Sequence, residues 1–162
     1  MPRKKQRRSS AFQIAYYHVE ITDWDWDYSF SANAMKNEDL CYADYRHLQI
    51  RGRVLRPRKS KAETAELIFF PKPGLAELER QRDDPRPISV GTMNMEGTKA
   101  TGMRLTGYIS MPADALGPVL QMLIAGRYKY VLLDGEPMRY RKAFIRHYYF
   151  TGQYNDEDYP DD

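Results

Sequence analysis

From Thr22 to Phe30 the chain alternates without a slip. Trp24, Trp26, Tyr28 and Phe30 fall on one parity, and Asp23, Asp25, Asp27 and Ser29 on the other. Helical geometry would scatter both sets around the axis, whereas a strand sends successive side chains to opposite faces. The segment is therefore read as a strand with one aromatic and one acidic face. A lone strand or two-stranded ribbon is at best marginally stable in water, so it needs sheet neighbours. The rest of the chain offers them.

The lead-in from Phe12 is just as dense in β-branched and aromatic residues, a composition that suits strands. After a break at Asn33–Asp39, Tyr42–Leu55 is the next expected strand. Glu66–Phe70 is a short buried one, stopped by Pro71 and Pro73. Residues 74–81 can form a short helix with Leu75 and Leu78 inward, and Asp83–Pro87 is loop. Ile88–Met95 and Thr101–Met111 read as a hairpin around Glu96–Lys99, with Met103, Leu105, Gly107, Ile109 and Met111 on the apolar face. In Ala113–Ala125, Leu116, Val119, Leu120, Leu123 and Ile124 recur at three- and four-residue spacing, which predicts an amphipathic helix. Asp114 is the expected N-cap and Gly126 the left-handed residue past the end; Pro118 fits only if the helix starts near Leu116. Tyr128–Leu133, a turn at Asp134-Gly135-Glu136-Pro137, and a strand over Met138–Phe150 complete the pattern.

These elements predict a mainly β (α+β) fold. It would be a curved antiparallel sheet, barrel or sandwich of about seven or eight strands, with one helix (about 114–125) packed on it or plugging it. With 162 residues the chain is long enough for one domain with its own core. Residues 1–10 carry five basic residues and no acid, and residues 153–162 carry five acids and no base. Like-charged ends of this kind are expected to stay solvated, so the globular domain is placed at 11–152, between a flexible basic arm and a flexible acidic tail. No apolar run approaches the ~18–20 residues that cross a bilayer. The positive start is followed by no signal-peptide core, and Cys41 is the sole cysteine, so the chain is read as cytoplasmic, without membrane or disulfide.

Catalytic and metal chemistry find little support in the residues. Carboxylates at Asp23, Asp25 and Asp27 would lie roughly 7 Å apart along an extended strand, too far to share an ion that holds its oxygens at about 2.0–2.6 Å. His18, His47 and His147 form no paired ligand motif, and Cys41 with His47 makes half a zinc site at best. No nucleophile elbow or phosphate-cradling glycine loop occurs. No catalytic residue, metal or cofactor is assigned, and the reading leans away from an enzyme.

The positive feature is basic and aromatic. Residues 46–61 hold seven basic residues and no acid, and a second cluster from Arg127 to Arg146 is interleaved with tyrosines. If strands 46–56 and 138–150 lay side by side, Arg51, Arg53, Arg56, Arg58, Arg139, Tyr140, Arg141, Arg146 and Tyr148 would share one Arg/Tyr-rich face. Such a face suits a macromolecular partner, with a protein favoured. Nucleic acid is the alternative, through phosphate neutralisation and base stacking. A small-ligand or enzymatic barrel lined by Trp24 and Trp26 is the second alternative. Self-association is compatible with all three. Against the basic face stands a plain competitor: the arginines can pair with the acidic strand at 20–27.

Overall fold

The computed structural model describes residues 13–32, 42–72, 80 and 89–160. The expected basic arm, the break at 33–39, Cys41, the helix at 74–81 and the loop at 83–87 therefore lie wholly or almost wholly outside the described residues. Seven strands form one closed sheet: β1 (Ala15–Ala32), β2 (Tyr42–Arg56), β3 (Thr64–Lys72), β4 (Gly91–Thr98), β5 (Gly102–Pro112), β6 (Tyr130–Gly135) and β7 (Lys142–Thr151). The order around the barrel is β1-β2-β3-β5-β4-β7-β6. Every neighbouring pair is antiparallel except β3 and β5, which run parallel because β4 pairs on the far side of β5, against β7. Among the described residues the fold is thus mainly β with a helix following β5, as the residue pattern predicts. Register shifts at His18/Val19 and Ile21/Asp23 on β1, and at Asp134/Gly135 on β6, supply the local bends that closure requires.

Alternation puts Val19, Leu48, Ile50, Leu67, Phe69, Met93, Ile109, Leu133 and Ile145 inside, each with no exposed surface. Gly107 also faces inward; a Cβ there would stand 2.7 Å from Leu67 Cδ2, so its lack of a side chain makes room for the larger neighbours. The barrel is filled by its own side chains. One end, here the lower, holds Ala15 and the connections 57–63, 99–101 and 136–141. At the upper end β3 and β5 finish and the helix α1 (Leu116–Ile124) follows a short 3₁₀ turn at Ala113–Ala115. Leu116 and Leu123 of α1 join the buried cluster of the barrel. Pro118 falls in the first turn and Gly126 has φ +64°, both as expected. Two details differ: Asp114 makes no capping hydrogen bond, and Ile124 is exposed.

The last hairpin departs further from expectation. Asp134-Gly135 is not its turn: both residues remain in β6, opposite His147 and Ile145. Glycine is needed at 135 for another reason, since a Cβ there would meet Phe144 O at 2.1 Å. The chain instead reverses at Tyr140-Arg141, where Arg139 and Lys142 exchange N–H···O bonds of 2.8 and 2.9 Å. Tyr140 and Arg141 adopt φ of 51° and 66°, a left-handed pair that two-residue hairpins require and that usually selects Asn and Gly. The expected strand 138–150 is thus broken, and β7 begins at Lys142.

Residues 153–160 are not a detached acidic tail. They descend the outer wall of β1 and β6, drawn there by two rings within the acidic run. Tyr154 meets His18 and Tyr130, and Tyr159 meets Tyr16 and His18. His18 is buried beneath them, as is Arg56. Inside, Tyr148 packs against Phe69 and donates to Ser110 O at 3.0 Å. Burial pushes its phenol up to about 12 from 10.0. Because the unfolded chain ionises first, Tyr148's share of the stability is intact below pH 10 and lost as pH rises from 10 toward 12. Unfolding midpoints measured across that range should fall, and Tyr148→Phe should fall less steeply.

Candidate functional site

The hairpin of β1 and β2 outruns the barrel. β6 stops pairing at Glu20 and β3 stops at Leu48, while β1 and β2 continue to pair with each other from Trp26↔Leu48 out to Ala32↔Tyr42. About seven residues at ~3.3 Å each make an arm of roughly 20 Å. The end of β3 stands beside its lower part, where His47 lies 6.2 Å from Phe70 and residues 44–46 face 70–72 across a recess. Period-two alternation carries the inward-facing row of the barrel straight onto one face of this arm. Trp24 is half-buried against the core. Beyond the rim, Trp26 is 43% exposed, Tyr28 56%, Phe30 63% and Tyr42 64%. Phe30 and Tyr42 stack at 5.7 Å with planes 9° apart, and Trp26 lies 6.3 Å from Tyr28. The rings make a strip of two contacting pairs, with Arg46 and Asp44 of β2 on the same face, opposite Tyr28 and Phe30.

The opposite face carries Asp25, Asp27, Ser29 and Tyr45, with His47 Nε2 at 3.3 Å from Asp27 Oδ2 near the base. Arg46, the arm's single arginine among the described residues, pairs with Asp44 at 3.5 Å. Asp25 and Asp27 make the arm mildly acidic as well as aromatic. Exposed aromatic surface of this kind marks an interaction site. Nothing among the described residues covers the strip.

The expected Arg/Tyr face does not form. β7 pairs with β4 and β6, and β2 pairs with β1 and β3, so strands 46–56 and 142–151 are not neighbours. On the outer wall, Arg51 bonds Asp23 and Arg53 bonds Glu20 at 2.6 and 2.9 Å. Arg104 reaches Glu96 and Glu66 at 3.2 and 3.5 Å. Arg146 donates to Glu136 at 2.7 Å, and Arg58 pairs with Asp156. Arg56 has no exposed surface, so no partner can reach it. Tyr148 points into the core. Arg139, Tyr140 and Arg141 sit together, but in the lower-end turn, far around the barrel from Arg51 and Arg53. The reason is electrostatic and topological: the acidic strand lies beside the basic one and satisfies it.

Among the described residues no three His, Cys, Asp or Glu side chains converge on a point where an ion could sit. None of their helices is long and apolar enough to cross a membrane. The chain matches no family model, no curated protein and no solved structure at a significant level. The arm is the feature that reading by residues underrated. Its signal was the long Trp-Trp-Tyr-Phe series, whose far end has too few strands beside it to be core.

Proposed function

We propose that the protein is a non-enzymatic binding module that engages a partner protein through the aromatic face of its β1–β2 arm. One observation carries this reading: four rings, each 43–64% exposed, line a ribbon that projects from a filled barrel. Tryptophan and tyrosine supply large contact areas at small entropic expense and are over-represented among residues that dominate binding energy. The filled interior argues against a ligand chamber walled by Trp24 and Trp26. The arm's one arginine among the described residues is paired with Asp44, and Asp25 and Asp27 stand at its base, which disfavours nucleic acid even though bases stack on rings. The same charges fit a partner offering an apolar cleft with a basic rim.

Photo-crosslinking in the native host tests this. A photo-reactive phenylalanine analogue in place of Tyr28 should trap one protein reproducibly, whereas the same analogue at Phe144, on the barrel wall, should not. Crosslinks to nucleic acid from position 28, or equal labelling from both positions, would overturn the proposal.

A further inference from the structure

The lower mouth of the barrel is a separate feature. Two adjoining recesses of about 530 and 770 Å³ open there and share Ser60, Lys61, Met103 and Arg141. The floor is apolar and soft, with Met95, Met103 and Met138 beside the buried Tyr17. Methionine fits irregular apolar shapes because its unbranched thioether is flexible and polarisable. The rim is cationic. Lys61, Lys99 and Arg141 line it and make no ion pair among the described residues, with Glu63 the one acid at the outer lip. Elsewhere on the barrel, Arg51, Arg53, Arg104 and Arg146 each hold a carboxylate.

The mouth is also built rather than incidental. Three connections brace it: Ser60 N bonds Pro57 O at 3.0 Å, Thr98 N bonds Thr101 Oγ1 at 3.0 Å, and Tyr17 donates to Glu136 O at 2.8 Å. Arg141 is placed by the left-handed turn, which places a non-glycine pair where glycine would be easier. Its carbonyl accepts from Met95 N at 2.9 Å and its guanidinium donates to Gly97 O at 3.2 Å, holding the head across the groove. Strain retained at one point that also aims a charged side chain is a mark of a functional site.

From these features we infer that the lower mouth binds a small amphipathic anion, an apolar chain ending in a carboxylate or phosphate. The chain lies on the methionine floor and the head meets Arg141, Lys61 and Lys99. The volume suits it, since small-molecule sites run about 300–1,000 Å³ and are mostly apolar with a few placed polar groups. This inference does not depend on the arm.

Titration calorimetry with the full chain tests it, using dodecanoate and dodecyl phosphate below their micelle-forming concentrations, with dodecanol and inorganic phosphate as comparators. At least one amphipathic anion should bind about tenfold or more tightly than both comparators, and addition of salt should weaken it. Arg141→Gly should weaken that binding about tenfold while raising the unfolding temperature, because it removes a charge and relieves the left-handed residue. A rise in stability with lost affinity separates the site from misfolding. Lys61→Gln with Lys99→Gln gives a second reading, with a several-fold loss expected. Dodecanol binding as well as the anions, inorganic phosphate binding as well as either, or affinity unmoved by Arg141→Gly would each overturn the inference.

Discussion

Arg56→Ala is expected to lower the free energy of unfolding by about 1–3 kcal/mol, the range found when hydrogen-bonding groups are left without their partner. Arg56 has no exposed surface, yet its guanidinium is fully occupied. Nε donates to Asp156 Oδ1 at 3.0 Å, Nη2 to the carbonyls of Asp156 and Tyr159 at 3.1 and 3.2 Å, and Nη1 to the carbonyl of Pro160. Its cation also lies 5.7 Å from the centre of the Tyr159 ring. Alanine would take this donor from the carbonyls of Asp156, Tyr159 and Pro160, and leave the Asp156 carboxylate to Arg58 and Tyr154. A carbonyl left without its partner loses more than a net hydrogen bond is worth. Lysine should not rescue the fold, because one ammonium cannot reproduce a planar fork of donors. Against a total stability of about 5–15 kcal/mol, the loss is large. Urea unfolding gives the magnitude, and faster proteolysis within 153–160 shows that the terminal segment is what is released. A change below about 1 kcal/mol would mean that the segment is held by its tyrosines alone.

The same contacts set a pH dependence. Hydrogen bonds from Arg58 and Tyr154, then Arg56, hold the Asp156 carboxyl below its usual value of 3.8. A lowered carboxyl contributes stability that is present above its ordinary range and lost as pH falls through the folded value. Acid should therefore loosen the terminal segment.

Much of this architecture was legible in the residues. Alternation located six of the seven strands to within a few positions, because a half-buried strand must separate its apolar and polar parities. The spacing of Leu116 through Leu123 and the glycine at 126 located the helix for the same kind of local reason. What could not be read was which strand lies beside which. Arg51 and Arg53 look like a basic surface until β1 is seen to bring Asp23 and Glu20 against them. Arg56 looks like one more exposed arginine until residues 153–160 fold back over it, a pairing across about a hundred residues that no local pattern encodes. The Tyr140-Arg141 turn was hidden because neither residue is a usual turn former, while Asp134-Gly135 advertised a turn it does not make. The arm was half visible. Its alternation was plain, but exposure depends on how many strands stand alongside, which is a property of the closed barrel.

The second large effect concerns that arm. The triple variant Trp26→Ser, Tyr28→Ser, Phe30→Ser should leave the barrel folded, since these rings lie past its rim and surface changes usually move stability by about 0.5 kcal/mol or less. Binding is another matter. Buried aromatic anchors lose about 2 kcal/mol or more apiece on truncation, though such losses do not simply add. Even partial loss across three rings corresponds to about 100-fold in affinity. Asp25→Asn with Asp27→Asn should act more gently, slowing association and flattening its salt dependence.

The most direct test of the account is a titration of the purified protein trapped through position 28 against the wild-type chain, the triple arm variant, and an Arg51→Gln, Arg53→Gln variant of the outer wall. The account predicts saturable wild-type binding, about 100-fold weaker binding by the arm variant at an unchanged unfolding temperature, and near-wild-type binding by the wall variant. Affinity that survives loss of the three rings, or that falls instead with the two arginines, would contradict it.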